Sequence, residues 1–178
     1  MSILMSVMQM ITIPVQGITQ GIQPIISYNY GAGNKERVKA TMKRMILVCL
    51  TGTLLLAGVA IFAPQIYTGL FTDNKELLEL TCKVMPLYFL GISIFGIQCA
   101  CQTSFISLGQ AKVSLFIALL RKIILLIPLI FILPHFFDNK VFAVFLAEPV
   151  SDTISITASI ITFRIVFKKA MQSISKSA

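Results

Sequence analysis

The sequence contains few charged residues, and acidic ones are the scarcest. Charged side chains make up 12% of the 178 residues, with 7 Asp and Glu against 15 Lys and Arg. A soluble domain normally carries about 25% charged residues. Because 56% of the residues are hydrophobic and the mean hydropathy is +0.87, the composition excludes an ordinary soluble domain and indicates a polytopic membrane protein.

Residue types that carry enzyme chemistry are also scarce. His135 is the only histidine, tryptophan is absent, and the four cysteines lie in or near apolar runs without C-x-x-C spacing. Such thiols are typical of small buried apolar side chains rather than metal ligands or disulfides. No nucleophile motif, metal cluster or phosphate loop is visible, so we expect neither an enzyme nor a resident cofactor.

Five long apolar runs occupy most of the chain, at about 3–31, 45–71, 77–108, 113–135 and 141–167. Each is at least as long as the roughly 20 residues that a membrane-spanning helix needs. None shows the period-two alternation of a membrane β-strand. The prediction is an all-α polytopic membrane protein with five transmembrane helices.

The first run carries an unusual set of amides. Gln16, Gln20 and Gln23 are spaced i, i+4 and i+7, so they share one face of a helix. An unpaired amide costs several kcal/mol in hydrocarbon, so this face should line a cavity. Pro24 removes a backbone donor and crowds the Gln20 carbonyl, which predicts a kink. The other prolines expected to kink a helix are Pro128 and Pro149.

Residues 17–39, GITQGIQPIISYNYGAGNKERVK, resemble a motif of the multidrug and toxic compound extrusion (MATE) transporters. The resemblance is to the second helix of their C-terminal lobe. The glycine-containing turn LGQAK at 108–112 and AEPVSD at 147–152 are similar to later parts of that lobe. The resemblance implies that residues 1–178 correspond to helices 8–12 of a twelve-helix transporter. It also implies a fragment that lacks the N-terminal lobe and the first helix of its own lobe.

The third run repeats the amide pattern, because Gln98 and Gln102 are an i, i+4 pair. Some MATE members have an ion-coupling carboxylate in the corresponding helix, but this run has no Asp or Glu beyond its first turn. The sequence therefore leaves open whether Na⁺ or H⁺ is the coupling ion. The candidate substrate-binding or cavity-lining residues are Gln16, Gln20, Gln23, Asn29, Gln98 and Gln102.

Three of the charged residues in the fourth and fifth runs, Arg121, Glu148 and Asp152, are expected to interact inside the membrane. Arg121 is 13 residues before Pro134 and Asp152 is 12 residues after Lys140, so both lie about 18–20 Å from the outer ends of their runs. Glu148 lies about 12 Å deep by the same count. Because an unpaired charge at such depth costs about 2.5–3.5 kcal/mol or more, we expect Arg121 to meet Asp152, with Glu148 nearby. This group is either a fixed ion pair or takes part in ion coupling.

The basic residues divide unevenly between the ends of the runs. One side carries twelve of the 15 Lys and Arg: Lys35, Arg37, Lys39, Lys43, Arg44, Lys112, Arg121, Lys122, Arg164, Lys168, Lys169 and Lys176. The other side carries Lys75, Lys83 and Lys140. The positive-inside rule then predicts a multi-pass plasma-membrane protein with an outside N-terminus and a cytoplasmic C-terminus, in agreement with the resemblance.

The leading hypothesis is part of a secondary active multidrug antiporter that exports organic cations, driven by Na⁺ or H⁺ and not competent alone. Its partners would be the lipid bilayer, small organic cations and the missing N-terminal lobe, with no nucleic acid. One alternative is a flippase for lipid-linked oligosaccharides, which should carry several cavity arginines, whereas the sequence offers Arg121. The other is a truncated membrane remnant that does not transport, whose polar residues only hold helices together.

Overall fold

The computed structural model describes residues 2–71, 75–136 and 140–177, and every regular element in these ranges is helical. The prediction of an all-α fold is confirmed. The elements are α1 (Ser2–Gly31), α2 (Lys35–Phe62), α3 (Pro64–Thr68), α4 (Lys75–Ile92), α5 (Phe95–Ser107), α6 (Ala111–Leu119), a π-helical segment (Leu120–Leu126), α7 (Ile127–Ile132), a 3₁₀ turn (Leu133–His135) and α8 (Lys140–Ser177).

The turn between α1 and α2 is a short helix cap. Gly33 has φ 74°, a left-handed conformation that glycine adopts without steric cost. The Asn34 N–H donates to the Asn29 carbonyl at 2.9 Å, which satisfies one of the last carbonyls of α1. The second helix begins at Lys35, ten residues before the apolar run, because its basic residues are good helix formers and Glu36 pairs with Lys39 at 3.1 Å.

The later runs are less regular than the sequence predicts. The third run divides into α4 and α5, with residues 93–94 between them, and Phe95 begins the second part. The fourth run contains a π-helical segment that ends immediately before α7, where Pro128 lacks the N–H that a regular ladder needs. In contrast, α1 and α8 continue as helices through Pro24 and Pro149, so kinks there stay predictions.

Two glycines allow close helix contacts. A Cβ at Gly96 would overlap the backbone of Cys49 and the Thr53 hydroxyl, so α5 lies directly against α2. A Cβ at Gly91 would be 2.9 Å from the Cα of Pro149, which brings α4 against α8. The first helix packs on both α2 and α5. This arrangement places α5 between α1 on one side and α8 on the other.

By length and composition, four stretches of the described residues could cross a membrane: Lys35–Phe62, Lys75–Ser107, Ala111–His135 and Leu146–Ile174. The 30-residue α1 is not among them, although it is long enough. Its glutamines lower the hydropathy of a helix that otherwise contributes Val7, Ile11 and Val15 to the buried core.

Candidate functional site

A cavity of about 490 Å³ lies between α1 and α5. Its lining combines glutamine amides, threonine hydroxyls, one thiol and two apolar side chains, and none of these is charged. The residues from the first helix are Gln16, Thr19, Gln20 and Gln23. The residues from the fifth helix are Phe95, Cys99, Gln102, Thr103 and Ile106.

Helical spacing explains how both walls form. The four lining positions of α1 follow an i, i+3, i+4, i+7 pattern, and those of α5 recur every three or four residues, so each set is one helix face. Gln16 and Gln20 are exposed, whereas Gln23 and Gln102 are half-buried. The Thr19 hydroxyl donates to the Gln16 carbonyl at 2.9 Å, so the amides are the main polar groups that the walls offer to a ligand.

Gln98 does not join the cavity as expected. It is 1% exposed and lies between α5 and α8, where its Oε1 accepts a hydrogen bond from Ser159 at 2.7 Å and its Nε2 is 3.5 Å from the Ser155 hydroxyl. The i, i+4 spacing puts Gln98 and Gln102 on the same side of α5. However, Gln98 packs against α8, whereas Gln102 lines the cavity between α5 and α1. The expectation is therefore corrected: Gln98 is a buried link to α8.

Asn29 is also absent from the cavity lining and belongs to the end of α1. Its side chain is 7% exposed, and its Nδ2 donates to the Ile25 carbonyl at 2.8 Å. Its Oδ1 has no hydrogen-bond partner in the described part of the chain. The residue does not reach the cavity because it lies six residues beyond Gln23, about 9 Å further along α1 and on a different face of the helix.

Arg121 and Asp152, which the sequence predicts at the same membrane depth, form an ion pair in the structure. Arg121 Nε is 2.6 Å from Asp152 Oδ1, and its Nη2 is 2.9 Å from Oδ2, a bidentate pair between the π-helical segment and α8. The side chains are 12% and 4% exposed. The neighbouring Ser151 hydroxyl donates to the Arg121 carbonyl at 3.0 Å. Geometry and burial make this a tightly held pair.

Glu148 is held less tightly than Asp152. One of its oxygens accepts a hydrogen bond from the Tyr88 hydroxyl at 2.8 Å. The other lies 3.9 Å from Lys122 Nζ, and the lysine side chain is 55% exposed. The two cations and two carboxylates balance in charge, but only Glu148 has a weak and partly solvated cationic partner.

Phe95 connects the charged group to the cavity. The Arg121 guanidinium carbon lies 5.0 Å from the centroid of the Phe95 ring, within the range of a cation–π contact, and the same side chain lines the cavity. Sequence reasoning missed Phe95, because nothing distinguishes it among 13 phenylalanines. It also missed Tyr88, for which a hydroxyl inside an apolar run was an available signal.

These features define a class of membrane protein. A helical bundle with an amide-lined cavity beside buried charges is the arrangement of a membrane transporter, in which polar groups at membrane depth face protein or water. The family model MatE matches residues 1–132. The chain belongs to the MatE family, whose members are transporters.

Curated relatives agree with this assignment. The multidrug export protein MepA of Staphylococcus aureus (strain MSSA476) is 26% identical over 124 residues, which are 69% of this chain and 27% of MepA. MepA of Staphylococcus haemolyticus (strain JCSC1435) is 25% identical over 145 residues, or 76% of this chain and 30% of the relative. The chain thus spans less than a third of the length of these relatives.

Solved transporter structures share the fold. The MATE multidrug transporter DinF-BH has a TM-score of 0.81 and 30% identity, covering 90% of this chain and 36% of that chain. An inward-facing multidrug resistance MATE transporter of the MOP superfamily has a TM-score of 0.85 and 12% identity, covering 95% of this chain and 39% of that one. At that identity the second likeness concerns the fold alone.

Proposed function

We propose that this chain forms part of one lobe of a secondary active exporter of small organic cations, driven by a Na⁺ or H⁺ gradient. The observation that carries the proposal is the cavity between α1 and α5, where four glutamines from two helices converge. Amide oxygens carry a partial negative charge that attracts a cation. Burying an amide also costs less desolvation energy than burying an ionised side chain. The apolar lining, including Phe95, suits the hydrophobic body of such a substrate.

The same geometry argues against an anionic cargo. A flippase for lipid-linked oligosaccharides handles pyrophosphate and needs free cationic side chains in its cavity. Both carboxylate oxygens of Asp152 bind the Arg121 guanidinium, and the Phe95 ring contacts the same guanidinium. Arg121 is also not among the residues that line the cavity, and its charge is neutralised by Asp152, which favours cations over lipid-linked sugars.

Of the two carboxylates, Glu148 is the better coupling group. Asp152 is committed to a bidentate pair, whereas Glu148 has a lysine at 3.9 Å that a Na⁺ ion or a proton can replace. Removal of the Glu148 charge changes the field at the Arg121–Asp152 pair. A resulting shift of the Arg121 guanidinium would also move the Phe95 ring, because this ring contacts the guanidinium and lines the cavity. This contact is the physical route of coupling that we propose.

Transport requires a second lobe, supplied by a longer protein. The cavity has walls from α1 and α5 only, and alternating access requires one rigid body to move against another. We therefore expect the 178-residue protein to bind a cation but not to transport it. The alternative, a non-transporting remnant, predicts a different result. In that case the amides only hold helices together, and no cation binds in the cavity.

The binding prediction concerns tetraphenylphosphonium and the 178-residue protein in lipid nanodiscs. Replacing both Gln20 and Gln102 with leucine should weaken binding about tenfold, or about 1.4 kcal/mol, because the amide dipoles are lost while the apolar volume is kept. Equilibrium dialysis with labelled ligand measures the affinity. Gln65→Leu, at an exposed position of α3 outside the cavity, is the matched control and should bind like wild type.

Tetraphenylborate, an anion of the same shape, separates charge from hydrophobicity. After subtraction of the binding to empty nanodiscs, equal protein-dependent binding of the two ions, or an unchanged affinity in the double variant, would refute the cation cavity. The same assay tests coupling, because wild-type affinity should change with Na⁺ concentration or pH, whereas Glu148→Gln should remove that dependence. An ion dependence that persists in Glu148→Gln would assign coupling to another group.

We also propose that the basic N-terminal end of α2 is cytoplasmic. Single cysteines at Lys39 and Gln65, near opposite ends of α2, should react with a membrane-impermeant maleimide from opposite sides. In intact cells only Gln65→Cys should be labelled, in a background where all four native cysteines are alanine. Labelling of Lys39→Cys but not Gln65→Cys would reverse the topology, and labelling of both would show that α2 does not span the membrane.

A further inference from the structure

A second concave surface shares no lining residue with the glutamine cavity. It is a groove of about 340 Å³ between α2 and α8, with an apolar lining except at one end. The α2 wall is a single stripe that recurs every three or four residues from Lys39 to Leu50. This stripe is about 16 Å long, close to half the roughly 30 Å thickness of the hydrocarbon core. The groove therefore has the length of one leaflet.

The floor of the groove is aromatic. Phe163 and Phe167 of α8 are stacked, with ring centroids 5.4 Å apart and planes 18° from parallel. On the opposite wall Leu47 is 61% exposed, although it is a large apolar side chain. Within the described chain nothing fills the space between these rings and Leu47. A flexible hydrocarbon chain fits such a shallow apolar groove and would cover both surfaces.

The polar end of the groove carries two lysines. The stems of Lys39 and Lys43 line it, and both residues are exposed. Lys39 is 3.1 Å from Glu36, but that carboxylate is 86% exposed, so the pair contributes little and leaves the ammonium available. Lys43 has no ion pair among the residues that the structure describes. Two ammonium groups at the end of an apolar groove complement a phosphate group joined to an acyl chain.

We propose that this groove binds one anionic phospholipid, with an acyl chain along the α2 stripe over Phe163 and Phe167 and the phosphate at Lys39 and Lys43. Charge complementarity selects this occupant over a neutral lipid or another protein helix, because an apolar helix face provides no partner for the two ammonium groups. The site is separate from the proposed substrate cavity, because the two share no lining residue.

The test uses the absence of tryptophan from the chain. Leu47→Trp places a single fluorophore in the groove of the full 178-residue protein, and Leu50→Trp is a second reporter one turn deeper. Leu55→Trp, on the same helix but outside the groove, is the matched control, because Leu55 is 73% exposed. In mixed bilayers, quenching by brominated phosphatidylglycerol is compared with quenching by brominated phosphatidylcholine.

At positions 47 and 50 phosphatidylglycerol should be preferred, on the order of fivefold for each lysine, and the Leu55 reporter should show no preference. Lys39→Gln with Lys43→Gln should abolish the preference at 47 and 50, and 1 M salt should reduce it. Three results would each overturn the proposal. These are equal quenching by both lipids in the groove, a preference at Leu55 as strong as at Leu47, and a groove reporter that neither lipid quenches because protein covers it.

Discussion

Arg121→Gln should lower the free energy of unfolding by about 3–5 kcal/mol, because it leaves the Asp152 carboxylate buried without its cation. Asp152 is 4% exposed, and both of its oxygens bind the guanidinium, so solvent does not replace the lost contacts. Deletion of the positive charge also removes the cation–π contact with Phe95. Thermal and urea unfolding in detergent, followed by circular dichroism, measure the loss.

The double variant Arg121→Met with Asp152→Leu separates two causes of instability. One is the cost of an unpaired buried carboxylate, and the other is the loss of the ion pair itself. Replacing both charges with apolar side chains removes the unpaired carboxylate, so stability should return to within about 1–2 kcal/mol of wild type. Lys122→Met is the matched control at the next position. That lysine is 55% exposed and 3.9 Å from Glu148, so its loss should cost less than about 1 kcal/mol. An Arg121→Gln variant no less stable than this control would show that the pair contributes nothing.

Gly96→Ala should destabilise the protein by about 3 kcal/mol, at the upper end of the usual cost of overpacking. The added methyl group would overlap the Cys49 carbonyl and the Thr53 hydroxyl. Because the Cys49 contact is backbone, no rotamer change relieves the overlap, and α5 must move away from α2. Chemical unfolding of the purified protein measures the change in free energy.

Gly52→Ala is the opposing control for this prediction. It makes the same substitution inside α2, but nothing lies within 4 Å of the added Cβ. Reduced backbone entropy of the unfolded chain should then stabilise the protein by about 0.5–1 kcal/mol. The two variants should therefore change stability in opposite directions. Equal effects would mean that α2 and α5 are not in direct backbone contact.

Residue spacing predicted the part of the site that depends on one helix at a time. Gln16, Gln20 and Gln23 share a face because of helical geometry alone, and they line the cavity. A depth count also matched Arg121 with Asp152, since buried opposite charges at one level in adjacent helices tend to pair. Both inferences required only helix rise, helical periodicity and the cost of polar groups in hydrocarbon.

Contacts among several helices were not predictable in the same way. Gln98 and Gln102 are equivalent in sequence, yet one is 1% exposed against α8 and the other lines the cavity. The break at residues 93–94 also gave no clear sequence signal, and Pro128 indicated an irregularity in the fourth run but not the extent of the π-helical segment Leu120–Leu126. Such irregularities depend on packing with neighbouring helices, which local propensity does not include.

The sequence by itself determined the class of protein, the helical fold and the polar face of the first helix, because hydropathy and periodicity are local properties of the chain. Only the tertiary structure decided that Phe95 contacts Arg121 and also lines the cavity, that Gln98 faces α8, and that α2 and α8 leave a groove with two lysines at one end. These features depend on which helices contact each other and at what rotation. That is a property of the packed bundle, since one turn of register or a small rotation of a helix exchanges the side chains that meet.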